Sequence, residues 1–569
     1  MSSIGAATTE YDVWDAEHVR MPHSSRNLQR VAVGPGQEPV LRPKWPVIAQ
    51  KLRLLACMER PPTTTDGDDD DSDDGSHSEG KEEGEEEGDG AALARMLADT
   101  IVALNPAYRA EWDLRGLVRL LGRGGALSAC ERRRFFFRTL PRMAALAAAL
   151  PALCRAPVPL LRAHTAGAVA LTRRQVACLL AHAFFCTLPR RSPPLAATSE
   201  YRAFPTVNFA PLYASDIAPC KLRFLLHYFA RVTDAIYDGT RSTSGTSSTS
   251  STSSTSSDSS SAAALDREYI VVERATLPEA ARVAWARSRA ALCAATAHAE
   301  GLIEEQAGRM AMVDFANRRL GGGVLGRGAV QEEILFLVCP ELLATRLLCE
   351  ALADTDAVVV RGAVRYAAYA GYAATLAFAG DHADATPRVA GPGGRAVRDS
   401  TFVAIDALDY SRAAPARQYA PRCITREADK AYCGLAAAGA RRPLATGNWG
   451  CGVFRGDREL KALVQLAAAS HAGYPAVHYY AVDDHDHFVA RFNTLVALLR
   501  AAGVTVGRLM SWLYSYEGTL RPHSDQPQPQ PQPEQQQQQQ EQQTSVFEHV
   551  QKCLAEATKH RNNGDDVTK

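Results

Sequence analysis

From Leu93 onward, apolar residues recur at the spacing of one helix face: Leu93, Met96, Leu97, Ile101, Val102 and Leu104, then Leu114, Leu117, Val118, Leu120 and Leu121. Pro151, Pro157 and Pro159 interrupt the pattern and 175–186 resumes it, so this region predicts a helical bundle. Beyond residue 262 the rhythm changes. Short β-branched or aromatic runs at 269–272, 310–313, 357–360, 402–405 and 477–480 alternate with helical stretches at 277–299, 331–353 and 457–470. Strands with continuous apolar cores between helices predict an α/β sheet covered on both faces. Pro340 splits the middle helical stretch and suits the start of a second helix. Tyr366, Tyr369 and Tyr372 also fall at helical spacing.

Three low-complexity segments divide the 569 residues: an Asp/Glu/Gly run, a Ser/Thr tract and a Pro/Gln run. None can bury enough apolar surface to order itself. With a length beyond one core, they set the expected organisation. An N-terminal extension, partly ordered (1–65), precedes an acidic disordered segment (66–90) and a helical accessory domain (91–239). A Ser/Thr-rich disordered insertion (240–261), an α/β domain (262–518) and a Pro/Gln-rich disordered tail (519–569) follow.

The net charge of zero hides an asymmetry. Residues 66–90 hold 14 acidic residues and one lysine, so the rest of the chain carries +13. A basic body with a tethered acidic segment fits a polyanionic ligand for which the segment competes, or else the segment is a solvated linker. Thirteen cysteines show no C-x-x-C pair and no zinc-ligand spacing, which points to reduced thiols and an intracellular protein. No apolar signal core opens the chain, and the longest weakly charged stretch, 366–380, is short of a membrane span. A nuclear or cytoplasmic location without a membrane partner is the expectation.

Gly321, Gly322 and Gly323 stand seven residues before Gln331, Glu332 and Glu333, which open an apolar helical run. Glycine backbone approaches a ligand closely and can point several N–H groups at an anion. The loop formally contains G-x-G-x-x-G, but Asp314 to Leu320 separates it from the preceding strand, and the next strand ends in Arg361 rather than a carboxylate. That context argues against a nicotinamide-dependent dehydrogenase, and no Gly-Lys-Ser/Thr follows for a nucleotide triphosphatase. A second small-residue loop, Thr446 to Phe454, leads into another helix. Together they suit a diphosphate clamp, each N–H-rich and helix-facing.

Val313-Asp314-Phe315-Ala316-Asn317, the triple glycine, Gln331-Glu332-Glu333, Tyr366-x-x-Tyr369-x-Gly371-Tyr372 and Ala445 to Gly452 closely resemble the signature of the poly(ADP-ribose) glycohydrolase family. Upstream, Leu179 to Arg190 and Phe204 to Phe209 resemble its accessory helical domain, and the likeness runs from about Trp14 to about Glu517. The resemblance implies a three-layer α/β/α macrodomain with a mixed sheet, packed on that helical domain. It implies hydrolysis of ribose–ribose bonds in poly(ADP-ribose), poly(ADP-ribosyl)ated proteins as partners, no metal and no cofactor. It makes no direct nucleic-acid partner expected, and a monomer.

Matched residue by residue, the resemblance makes Glu333 the acid/base. Glu332 and Asn317 orient ribose hydroxyls, with Asp314 supporting the acidic pair. Gly321, Gly322, Gly323 and the loop of Asn448, Gly450, Cys451, Gly452 and Phe454 hold the diphosphate. Tyr372 covers the distal ligand, and Ile303, Glu304 and Gln331 line the adenine side. One departure is visible: Val482 stands where the family places an aromatic near the adenosine ribose.

Glycoside cleavage requires a proton delivered to the leaving oxygen. Glu332 and a bound diphosphate supply the like charge that keeps a proton on a neighbouring acid. Without the flanking motifs, Glu332 and Glu333 would read as capping acids on a solvated helix start. A non-catalytic ADP-ribose reader is the alternative from another class, and it has no need of two acids there. Asp483, Asp484, His485, Asp486 and His487 could be drawn as a metal site but read better as a surface loop. Arg190-Arg191 and Arg441-Arg442 read as phosphate-steering or solvated charge.

Overall fold

The computed structural model describes residues 12–31, 38–58, 82–122, 125–191, 199, 201–238, 261–482, 484, 487–516 and 544–565. Eight strands form one mixed sheet: β1 (Gly167–Thr172), β2 (Tyr269–Thr276), β3 (Ala294–His298), β4 (Ala311–Ala316), β5 (Asp356–Arg361), β6 (Thr401–Asp406), β7 (Leu444–Gly447) and β8 (Ala476–Tyr480). Their order is β1-β2-β5-β6-β4-β7-β8-β3. β6, β4, β7, β8 and β3 run parallel, while β1, β2 and β5 pair antiparallel.

Alternation along the central strands sends side chains into two cores. Met312, Phe402, Ala404, Val358 and Val360 face one core, which runs without a break into the helical domain. Val313, Val403, Ile405, Ala357 and Leu444 face the other. Two helices of the helical domain, α1 (Arg173–Phe184) and α2 (Ala218–Tyr237), contribute to the first core, as does α3 (Gln331–Val338). Helices α4 (Pro421–Ala438), α5 (Arg458–His471), α6 (Phe488–Ala501) and α7 (Val506–Ser515) cover the opposite face.

The expected boundary between helical and α/β domains is crossed by β1, which lies within 91–239 yet pairs with β2 along its whole length, Gly167 opposite Arg274 through Thr172 opposite Tyr269. Arg173 reinforces the junction. Buried, it bonds to Glu268 at 2.6 Å, to Glu341 at 2.8 Å and to the Tyr366 hydroxyl at 2.6 Å.

Four expectations are corrected. The stretch 277–299 is not helical: it makes short turns around buried Trp285 and then forms β3, because parallel pairing with β8 overrides the helical preference of its alanines. Tyr366 and Tyr369 stand on or beside a strand, Ala367–Ala370, that pairs with Ala377–Asp381. The acidic segment is helical from Glu82, since a single helix spans Glu82–Leu104 and its buried Ala94, Leu97 and Ile101 anchor it. The tail is not wholly disordered. Helix α8 (Val546–Asp565) buries Val546, Phe547 and Val550 in the second core. The Ser/Thr tract at 240–260 and the Pro/Gln run at 519–543 lie outside the described residues.

Candidate active site

β4 and β7 are adjacent and parallel, so the loops that follow them leave from the same edge of the sheet. Crevices at the carboxyl ends of parallel strands are where α/β sheets place ligands. After β4 come Asn317 and the triple glycine, and after β7 come Asn448 to Phe454. Asn317 to Leu320 lies between the strand and the first glycine, unlike the tight turn of a dinucleotide fingerprint.

Helix α3 carries the acid pair back to the glycine loop, and the carboxylates hold that loop in shape. Glu332 accepts from the N–H of Gly321 at 2.6 Å and of Asn317 at 2.9 Å. Glu333 accepts from Gly323 N–H at 2.7 Å and from Val330 N–H at 3.0 Å, the second bond capping its own helix. Both residues are buried. Gln331 spends its amide on β4, accepting from Phe315 N–H and donating to the Val313 carbonyl, which ties the helix start to the strand.

Asp314, on the same face as Met312, lies behind the pair. It is buried, and its Oδ1 has no hydrogen-bond partner. Burial and then the charge of Glu333 push its carboxyl well above the usual range. Glu332 is also pushed well up, by burial and then by Asp314 and Glu333, against two backbone N–H bonds that favour its anion. Asp314 Oδ1 has no N–H donor of the kind Glu332 accepts from, so nothing there offsets the cost of burying its charge.

Glycine is required here by space. Gly321 and Gly322 have φ of 78° and 42°. A Cβ on Gly322 would meet Glu332 Oε2 at 2.7 Å, and one on Gly328 would meet Glu333 Oε1 at 2.6 Å. Two buried cations grip the loop from behind. Arg346 Nη1 donates to the Leu320 and Gly322 carbonyls at 2.7 and 3.2 Å. Lys221 Nζ, from α2, donates to the carbonyls of Gly323, Val324 and Gly326 at 3.0, 3.0 and 2.8 Å.

The second loop is anchored by Trp449, whose buried indole donates to the Ile405 carbonyl at 2.9 Å. Asn448 Oδ1 accepts from Tyr479 Oη at 2.8 Å. Cys451 N–H donates to the Asn448 carbonyl, and Gly456 N–H to that of Gly450. Gly450 has φ of 74° and a Cβ there would lie 2.5 Å from Ala407 Cβ, whereas the Cβ position on Gly452 is open. The Phe454 carbonyl accepts from Tyr410 N–H. Asp457 caps α5 by accepting from Leu460 N–H at 2.8 Å.

The remaining expected site residues lie on other elements. Tyr372 is 45% exposed, and its hydroxyl meets the Gln331 backbone. Glu304 accepts from Tyr369 Oη at 2.6 Å, and Ile303 is buried in the first core. Val482 is 73% exposed, and the Tyr480 ring stacks on His298 at 5.2 Å. Arg191 is structural, donating to the Leu347 carbonyl at 2.6 Å, and Arg442 pairs with Asp399 at 2.5 Å. Asp483, His485 and Asp486 lie outside the described residues, and among the described residues no three His, Cys, Asp or Glu side chains form a metal-binding group.

Sequence reading missed Arg346, Lys221, Gly328 and Tyr479. A signal existed only for Lys221, a lysine on the apolar stripe of α2 with Leu225, Tyr228 and Val232.

Residues 282–488 match the family model for the macro domain fold of poly(ADP-ribose) glycohydrolase, and residues 127–248 match the model for its helical domain, together more than half of the chain. Poly(ADP-ribose) glycohydrolase 1 of Arabidopsis thaliana is 29% identical over 439 residues, covering 62% of this chain and 72% of that protein. Poly(ADP-ribose) glycohydrolase 1 of Caenorhabditis elegans is 35% identical over 226 residues, 38% of this chain and 28% of that one. A crystal structure of the Deinococcus radiodurans enzyme with ADP-ribose is 17% identical and covers 41% of this chain and 86% of that one, with a TM-score of 0.23, too low to bear on the site. Described by its own loops and acids and matched by both domain models, the chain belongs to the poly(ADP-ribose) glycohydrolase family.

Proposed function

We propose that this chain hydrolyses the ribose–ribose O-glycosidic bonds of poly(ADP-ribose), releasing ADP-ribose, with Glu333 as general acid/base. The observation that carries the reading is the seating of Glu332 and Glu333 directly on the glycine loop through the N–H groups of Gly321 and Gly323. An anion held by the loop would lie beside the acid pair, which supports a diphosphate-linked ribose within reach of the proton donor. Glu333 protonates the leaving ribose oxygen and, as a carboxylate, takes a proton from the attacking water. Glu332 and Asn317 orient the ribose hydroxyls, and buried Asp314 supports them as a neutral acid. The Asn448 to Phe454 loop closes on the diphosphate, and Tyr372 covers the distal ligand.

Poly(ADP-ribosyl)ated proteins are the proposed partners, and a reducing compartment, nucleus or cytoplasm, is the proposed location, in keeping with thirteen free cysteines. Among the described residues no helix is long and apolar enough to cross a membrane.

The test is incubation of the purified chain with end-labelled poly(ADP-ribose), followed by chromatography. Monomeric ADP-ribose is the expected product. Tight polymer binding without product would overturn hydrolysis and leave a reader.

A further inference from the structure

Lys221 belongs to the helical domain, yet its amine reaches the glycine loop of the macrodomain. The residue is fully buried, and Nζ meets three carbonyls there, those of Gly323, Val324 and Gly326. An ammonium has three donors and no acceptor, so this cradle uses all of them. Neighbouring groups from the same stretch grip the same loop: Ser215 Oγ donates to the Gly326 carbonyl at 3.4 Å, and Asp216 pairs with Arg327 at 2.5 Å.

The consequence follows from peptide geometry. In a trans peptide the C=O and the following N–H point in opposite directions. Carbonyls 324 and 326, turned onto Lys221, therefore turn the N–H groups of Leu325 and Arg327 away from it. Val324 N–H is used within the loop, on the Gly321 carbonyl at 2.9 Å. The N–H groups of Leu325 and Arg327 meet no acceptor among the described residues. Loop N–H groups left without a protein acceptor are donors of the kind that bind anions.

We propose that Lys221 is a positioning residue for phosphate binding, its charged amine gathering three loop carbonyls so that the loop presents its N–H groups to the diphosphate. This deepens the functional reading above and rests on it. It also explains why the helical domain accompanies the macrodomain: part of the anion site is held from the other domain.

The charge state of Lys221 is the handle for a test. Burial pulls its amine down to about 8, against the opposing pull of Glu333 and Cys220 and with a further push from Arg346. A neutral amine has two donors and a lone pair, which would face one of the three carbonyls. The diphosphate of ADP-ribose does not titrate in this range.

Isothermal titration with ADP-ribose, between about pH 6.5 and about pH 9.5, should show wild-type affinity falling about tenfold through a midpoint near 8. Lys221→Met should weaken ADP-ribose binding and raise KM for the polymer by about tenfold or more, with a smaller change in kcat and a flat pH profile. Lys221→Arg, which keeps the charge, should recover part of the affinity and show no midpoint near 8. A merely structural role would instead lower the active fraction, and so kcat, with KM unchanged. A folded Lys221→Met with wild-type affinity overturns the inference. Should that variant fail to fold, a wild-type affinity that is flat across the range overturns it equally. Wild-type protein that binds ADP-ribose with the expected pH dependence but leaves polymer intact supports the positioning role and overturns hydrolysis; protein that binds neither overturns both.

Discussion

A Cβ on Gly322 would sit 2.5 Å from Oε1 of Glu333, closer than real Cβ atoms come to another heavy atom. The glycine loop and the acid pair are thus one packed unit rather than neighbouring features.

Gly322→Ala is therefore expected to displace the Glu333 carboxylate by several tenths of an ångström, and its φ of 42° adds backbone strain. Polymer turnover should fall by about 10²-fold, the scale of a small misplacement at a reacting group, while the melting temperature changes little. Single-turnover kinetics with labelled polymer provides the check. Gly452→Ala, whose Cβ position is open, is the contrasting variant and should lose far less.

Glu333→Gln keeps the shape and removes the proton carrier. Turnover is expected to fall by about 10²- to 10⁴-fold, the range of a general acid/base contribution, with ADP-ribose binding preserved in titration calorimetry. Near-normal release of ADP-ribose by this variant would assign the chemistry elsewhere.

Asp314 makes a prediction about stability and pH. Its carboxyl is held well above the ordinary range by burial and by Glu333, so the folded state binds a proton that the unfolded state releases above about pH 4. A group raised in this way contributes stability below its unfolded value, and that contribution is lost as pH rises toward its folded value. Asp314→Asn cannot ionise. Its stability relative to wild type should increase as pH rises above about 4, and parallel melting curves for the two proteins over the whole range would contradict the assignment.

The C-terminal helix tests the packing. Tyr516 Oη donates to the Thr544 carbonyl at 2.7 Å, so the two residues that flank 517–543 are in contact. Shortening 519–543 to a brief Gly/Ser linker should leave the melting temperature within a degree or so, since loop length costs little entropy. Ending the chain at Tyr516 instead uncovers the sites of Val546, Phe547 and Val550 and the Phe547 N–H bond to Glu459 at 2.7 Å. About 1.5–3 kcal/mol per apolar side chain, less the ordering entropy, should lower the midpoint by about 5 °C or more. Differential scanning fluorimetry of the two truncations distinguishes them.

The sequence by itself determined the α/β class, the strand cores and the two glycine loops, because apolar periodicity and glycine placement are local properties. It also put Glu332 and Glu333 in the first turn of the helix that follows the first loop. Only the tertiary structure decided the rest. That 294–298 is a strand depends on pairing with β8, and that residues 546–550 are ordered depends on apolar sites provided by α5, α6 and α7. Lys221 and Arg346, 102 and 24 residues away from carbonyls they hold, became part of the glycine loop only through the fold. Hydrogen bonds to backbone carbonyls carry no pattern in the chain, because every residue offers the same acceptor.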